Sequence, residues 1–369
     1  MALPFRRAAI LGVGLIGGSL ALALRRHAPE IEIVGLDDPD VLERAVARGA
    51  IHQGASGVRE AVRGCDLVVL AAPIGANRSL LHAAASHLEA DALVTDTGSV
   101  KGPIARDARS LVPEGSLFVG GHPMTGSEHR GIGHADALLF ENAVYVVCPT
   151  DPADSADPRF HALTHLLERV GSKVLEMDPD RHDRSAAAVS HLPQLLAVSL
   201  VNQLAEPGIR DDVPALLAAG GFRDMTRIAS SPFSVWNDIL EANHDEVLAA
   251  LDRFAEVFGR LRERLGAGDL EAVAQAFAVS AGLRESVPAR TKGFLEPLCD
   301  VYVYTPDEPG ALRRITGAVT DGGVNIKDIE LLKIREGTGG TFRLGVDDPV
   351  AADRTIEVLA TAGFQAYRL

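Results

Sequence analysis

Short apolar runs alternate with longer stretches of helical periodicity through the first 150 residues. The runs at 8–12, 31–36, 67–72, 92–95, 117–119 and 143–148 have the length of buried strands, and the stretches between them carry apolar residues at helical spacing. This alternation predicts βαβ units and a parallel sheet whose ligands lie at the carboxyl edge. A polar stretch, Asp151 to Pro158, precedes a predicted helix (159–170) and strand (172–176), which complete a first domain over 1–177. From 178 to 290 no strand is evident, and long amphipathic patterns such as Asp245 to Leu265 predict an all-helical domain. Apolar residues on more than one face suit a subunit interface; helices that merely cover the sheet would give a similar pattern. After a short connector near Ala289–Glu296, residues 297–369 read as strands at 298–304, 324–334, 341–346 and 364–367, with helices at 310–320 and 350–361. The order βαββαβ predicts a ferredoxin-like tail.

The first strand runs into Gly12-Val13-Gly14-Leu15-Ile16-Gly17, a G-x-G-x-x-G turn opening a helical pattern. Gly12 permits the tight turn, Gly14 lets backbone approach a pyrophosphate, and Gly17 lets helix pack on strand. The backbone around Leu15 and Ile16 begins a helix whose free N–H groups and positive dipole end receive the anion. The second strand ends at Asp37, twenty residues beyond Gly17, where a carboxylate accepts both ribose hydroxyls. Asp37 and Asp38 together repel a 2′-phosphate. The first domain therefore reads as α/β, Rossmann-type, with NAD favoured over NADP.

Composition narrows the class. Apolar residues make up 47% and charged residues 23% of 369, as in a folded globular chain with cores for two or three domains. The chain shows no cationic-apolar leader and no apolar stretch long enough for a bilayer, and Cys65, Cys148 and Cys299 follow no metal or disulfide spacing. A cytoplasmic protein with no metal is expected. A net charge of −14 disfavours nucleic acid and anionic membrane as partners, and an anionic substrate would need cations gathered against that field.

Two polar loops follow consecutive strands: Thr95-Asp96-Thr97-Gly98-Ser99-Val100-Lys101 and Gly120-Gly121-His122-Pro123-Met124-Thr125-Gly126-Ser127-Glu128. Topology brings both to one crevice, where His122 can accept a proton and Ser99 can share the same substrate oxygen. In the helical region, Ser190-His191-Leu192-Pro193-Gln194 places a kinking proline beside polar residues. Gly220-Gly221-Phe222-Arg223-Asp224-Met225-Thr226-Arg227 sets two arginines four apart. A guanidinium there can grip a carboxylate bidentately; an Asp224–Arg227 pair on a solvated face is the plainer alternative. Trp236, the sole tryptophan, suits a core or an interface.

These motifs, from Gly12–Ser19 to Trp236-Asn237-Asp238-Ile239, occur in the order of the prephenate dehydrogenase family, which the chain resembles over roughly residues 8–265. The tail resembles an ACT domain through Asp307-Glu308-Pro309-Gly310-Ala311-Leu312 and Gly323-Val324-Asn325-Ile326, the latter opening its second strand. The resemblance implies NAD-dependent oxidative decarboxylation of prephenate to 4-hydroxyphenylpyruvate in a homodimer. His122 would be the base and Ser99 its companion. Arg227 would hold a carboxylate, His191 would support the site, and Gly220 and Trp236 would approach it from a partner subunit. The ACT resemblance implies L-tyrosine as a feedback effector near Asp307, Gly310, Asn325 and Ile326, or a tail used only for dimerisation. Many relatives carry a second histidine where this chain has Gln194; an amide there donates a hydrogen bond but carries no charge. Arogenate therefore stays open beside prephenate. A β-hydroxyacid dehydrogenase would use a lysine base in the second domain, and no lysine occurs between Lys173 and Lys292. A non-enzymatic regulator responsive to NAD and an amino acid would need neither His122, Ser99 nor Arg227.

Overall fold

The computed structural model describes residues 4–126, 129–206, 212–286, 298–335 and 339–368. The connector 289–296 and the pair Ser127-Glu128 lie outside them. The chain divides into two compact units, 1–280 and 281–369.

The first unit opens with an eight-stranded sheet of β1 (Arg7–Leu11), β2 (Glu32–Leu36), β3 (Gln53–Gly54), β4 (Leu67–Leu70), β5 (Leu93–Asp96), β6 (Leu117–Pro123), β7 (Val144–Pro149) and β8 (Lys173–Glu176). The spatial order is β3-β2-β1-β4-β5-β6-β7-β8, so the topology reverses between β1 and β4. Helices α1 (Leu15–His27), α2 (Pro39–Ala47), α3 (Val58–Val62), α4 (Ile74–Ala85), α5 (Gly102–Leu111) and α6 (Pro158–Arg169) connect them. Alternate strand residues face opposite layers. Ile10, Ile33, Val69, Leu93 and Val147 pack under α1 and α6, whereas Leu11, Val68, Leu70, Val94 and Phe118 pack under α4 and α5.

One expectation is corrected. The sheet is not parallel throughout: β6 and β7 pair antiparallel, Gly121 opposite Val147. Among the described residues between them, 124–126 and 129–143, the one helical element is a short 3₁₀ turn, Ile132–His134, too little for the helical crossover that a parallel return needs. The chain turns back at the carboxyl edge, and its loop crosses the mouth of the crevice.

Helices fill the rest of this unit: α7 (Pro179–Ala186), α8 (Leu192–Asn202), α9 (Asp212–Leu217), α10 (Gly220–Thr226), α11 (Phe233–Ala242), α12 (His244–Gly266) and α13 (Leu270–Ser286). Pro193 lies within continuous helical backbone: α7, a π-helical turn at Ala187–His191 and α8 follow one another without a break, and the ladder widens to the π form just before the proline that lacks an N–H. The internal core here is small, centred on Ala187, Val247 and Ala250, while Leu217, Phe233 and Phe277 stay largely exposed.

The second unit runs β9 (Cys299–Thr305), α14 (Ala311–Asp321), β10 (Asp328–Arg335), β11 (Gly339–Val346), α15 (Pro349–Thr361) and β12 (Gln365–Tyr367). Its four-stranded sheet, order β10-β11-β9-β12, is antiparallel at every pairing. Val301, Val303, Leu344 and Val346 pack against Ile315, Val319 and Leu359. The segment 324–327 precedes β10 rather than opening it; Val324 and Ile326 turn onto the core instead.

Candidate active site

The glycine turn is built for close approach. Gly12 has φ +101°, and a Cβ there would lie 2.6 Å from the Ala71 carbonyl carbon; one at Gly17 would lie 2.0 Å from the Gly12 oxygen. At Gly14 a Cβ would meet nothing within 4 Å, which leaves room for a pyrophosphate before α1. Asp37 caps this turn: its Oδ2 accepts the Val13 N–H (2.7 Å) and its Oδ1 the Asp38 N–H (2.8 Å). Each oxygen keeps a lone pair for a ribose hydroxyl. These residues fit NAD.

Beyond the turn opens a cavity of about 490 Å³, lined by Leu15 and Ile16 of α1, Ala71 to Ile74 after β4, Thr97 to Ser99 after β5, and His122, Pro123, Thr125 and Gly126 at the end of β6. His129, Arg130 and Gly131 of the loop, and Ser234, Val235, Asp238 and Ile239 of α11, close it. The Asp238 carboxylate accepts the Gly75 N–H (3.2 Å) and so ties α11 to α4.

His122 is held from behind. Its Nδ1 lies 2.8 Å from His182 Nε2, and His182 Nδ1 lies 2.7 Å from Asp183 Oδ1. An ionised carboxylate only accepts, so His182 donates from Nδ1 and presents Nε2 as acceptor to the Nδ1–H of His122. That leaves His122 Nε2 with its lone pair free. Asp183 is fixed at the start of α5, where it accepts the N–H groups of Lys101 and Gly102 (both 2.7 Å). Asn243 donates to the Asp183 carbonyl (2.9 Å) and also contacts His191 Nδ1 (3.2 Å).

Beneath the loops lies a buried ion pair. Lys101 Nζ meets both oxygens of Asp96 (2.5 Å) and the carbonyl of Gly121 (2.6 Å), all inside the protein. The pair welds the end of β5 to β6 one residue before His122. Burial, with His182, Lys101 and His191 nearby, holds the His122 imidazole well below its usual 6.5. Burial likewise pulls His191 down to about 4. These surroundings favour the neutral imidazole.

The expected site residues divide. Gly12, Gly14, Leu15, Ile16, Gly17 and Asp37 form one turn, and Ser99 and His122 line the cavity beside it. His191, Gln194, Gly220, Arg227 and Trp236 do not line it. His191 is buried and packs edge-on against Trp236, ring centroids 6.0 Å apart. Gln194, also buried, spends its amide on the Ile228 carbonyl (3.0 Å) and so braces the turn that carries Arg227. Gly220 and Arg227 are exposed. Helix α10 ends at Thr226 and Arg227 begins a 3₁₀ turn, so Arg223 and Arg227 share no continuous helix; among the described residues Asp224 and Arg227 form no ion pair. His182, Asp183 and Arg130 escaped the sequence reading. The adjacent His-Asp pair in an otherwise polar helix was the signal available for two of them.

Fold and cavity define a nucleotide-dependent dehydrogenase: a Rossmann-type sheet with a histidine in the cavity at its carboxyl edge, followed by a helical domain. Family models described as the nucleotide-binding domain and the dimerization domain of prephenate dehydrogenase match residues 20–176 and 178–279. Prephenate dehydrogenase of Bacillus subtilis is 35% identical over 95% of both chains. Cyclohexadienyl dehydrogenase of Zymomonas mobilis is 30% identical over 72% of this chain and 90% of its own. The crystal structure of Aquifex aeolicus prephenate dehydrogenase with hydroxyphenyl propionate and NAD+ superposes with a TM-score of 0.69 at 31% identity, covering 78% of this chain and all of the other. Synechocystis arogenate dehydrogenase gives 0.68 at 28%, covering 76% and 99%. The chain belongs to the prephenate dehydrogenase family and is an NAD-dependent dehydrogenase.

Proposed function

We infer that this enzyme oxidatively decarboxylates prephenate to 4-hydroxyphenylpyruvate, with His122 as general base. The observation that carries the reading is the free Nε2 of His122 in a cavity shared with Ser99 and the glycine turn. Bound NAD supplies the hydride acceptor. His122 Nε2 takes the proton of the ring hydroxyl while the Ser99 hydroxyl bonds the same oxygen. As the carbinol carbon gives up its hydride, the ring–carboxylate bond breaks, CO2 leaves and the freed electron pair completes the aromatic ring. The proton on His122 then returns to the phenolic oxygen. Arg227 holds a substrate carboxylate, and its exposure in one chain suits work across the homodimer that the large apolar surface of the helices favours. Gly220 and Trp236 would complete that side of the site from the partner, while His191 supports the site through Asn243. The unpaired cysteines, two of them buried, suit a cytoplasmic enzyme.

Arogenate is the second reading. Asp238 puts a carboxylate on the cavity wall, able to meet an ammonium, and Gln194 is neutral. The test is NADH formation with prephenate and arogenate side by side. The expected result is a higher kcat/KM for prephenate; a reversed preference makes the enzyme an arogenate dehydrogenase.

The second unit is proposed to be an ACT domain that binds L-tyrosine. Its βαββαβ order and the left-handed Gly310 before α14 support this. Within one copy the proposed contacts fall apart. Thr305 aligns through Gly340 with Ile334, whereas Asp300 aligns through Gly345 with Asp328. Asp307 and Gly310 thus lie at one end of the sheet and Asn325 and Ile326 at the other, about 20 Å away at the rise of a strand. A site using both needs two copies. Tyrosine should inhibit the full chain, and both Asp307→Ala and Asn325→Ala should relieve it; indifference of the full chain to tyrosine would leave the tail a structural or dimerising unit.

A further inference from the structure

The loop between β6 and β7 does more than return the chain. Its residues Ile132, Ala135 and Asp136 lie on the early turns of α1. Ile132 fills the space a Cβ at Gly18 would need, its Cδ1 2.5 Å from that position. Ser19 Oγ accepts the Asp136 N–H (2.9 Å). From the other side Arg48, which caps α2, donates to the carbonyls of Gly133 (3.1 Å) and Ala135 (2.8 Å). The segment is therefore clamped to two helices of the nucleotide-binding fold, one of which begins at the glycine turn. Two residues before Ile132 stands Arg130, exposed and on the wall of the same cavity as Leu15 and Ile16. Among the described lining residues it is the only guanidinium.

The geometry points to Arg130 as a ligand of the cofactor's pyrophosphate, closing over the dinucleotide from the side opposite the glycine turn. Three features favour the pyrophosphate over a substrate carboxylate. The clamp fixes the segment to α1, whose N-terminus already attracts the anion. The adjoining Gly14 leaves the open space that a phosphate fills. The net charge of −14 makes an unassisted N-terminus a weak hold on a doubly anionic linkage, and a guanidinium suits phosphate oxygens in a bidentate grip. This rests on the NAD reading of the same site.

The test is calorimetric binding of ADP-ribose, which has the pyrophosphate but no nicotinamide, to the full chain and to Arg130→Ala and Arg130→Lys. Loss of one charge-assisted contact should weaken ADP-ribose about tenfold or more in Arg130→Ala, with Arg130→Lys between. The KM for prephenate at saturating NAD should stay within about twofold. Unchanged ADP-ribose affinity in Arg130→Ala overturns the assignment. So does a raised prephenate KM with cofactor binding intact, which would make Arg130 a substrate ligand. A wild-type chain that binds neither ADP-ribose nor NADH takes down the cofactor reading itself, and the assignment with it.

Discussion

The tautomer and charge of the His122 ring are set by residues that do not line the cavity. Asp183 fixes the tautomer of His182, which fixes that of His122, and burial beside Lys101 keeps the ring neutral. A base with a lowered pKa is active above that pKa and inactive below it, so kcat/KM should hold at pH 6.5 and fall only under more acid conditions. A profile already falling at pH 7 would mean the ring is not shielded as described. His182 offers a finer probe. A glutamine can present its carbonyl oxygen near the place of Nε2 and keep the acceptor, whereas an asparagine reaches only toward Asp183. His182→Gln should therefore retain much more kcat than His182→Asn, with similar thermal unfolding; equal losses would speak against the orienting role. Ser99 and His122 were legible in the sequence because each stands in a polar run at the carboxyl end of an apolar strand, Ser99 just beyond β5 and His122 in the last residues of β6. His182 was not, because a histidine inside a helix carries no sign of which neighbour it will face.

At the scale of elements, the weld between β5 and β6 is the most exacting feature. Lys101 and Asp96 are both fully buried, and breaking such a pair from one side typically costs about 3–5 kcal/mol. Lys101→Met should lower the unfolding free energy by that order. It should also move the acid limb of activity to higher pH, since a positive neighbour that disfavours the imidazolium has gone. Denaturant titration and a pH profile read the two effects separately. The strands and the glycine turn were visible as apolar runs punctuated by Gly, and α12 as a long amphipathic period. The antiparallel return of β7 was not, because a strand's sequence does not record its direction; only the missing helix between 124 and 143 hinted at it. Pro193 was legible as an interruption of a helical pattern, but the π turn just before it was not, because a strict 3.6 period does not anticipate one.

For the whole molecule, the proposed anionic substrate requires cations from an acidic chain, and Arg227 lies off the cavity of its own copy. If it serves a partner's site, Arg227→Ala should raise KM for prephenate with little change in kcat, and Arg227→Lys should recover only part. Unaltered KM in both variants would return it to the solvated surface. The succession of strand-rich, helical and again strand-rich regions was legible from the switch in pattern, but the assembly was not: exposed Phe233 and Phe277 leave an apolar face without naming what meets it. In the proposed reaction one neutral histidine drives an NAD-dependent oxidative decarboxylation. Its most direct test follows NADH and CO2 release from prephenate by wild type and by His122→Asn. Wild type should yield both in equal amounts, and His122→Asn should lose about 10²–10⁴-fold in kcat while binding NADH normally. Near wild-type turnover in His122→Asn, or NADH without CO2, would contradict the account.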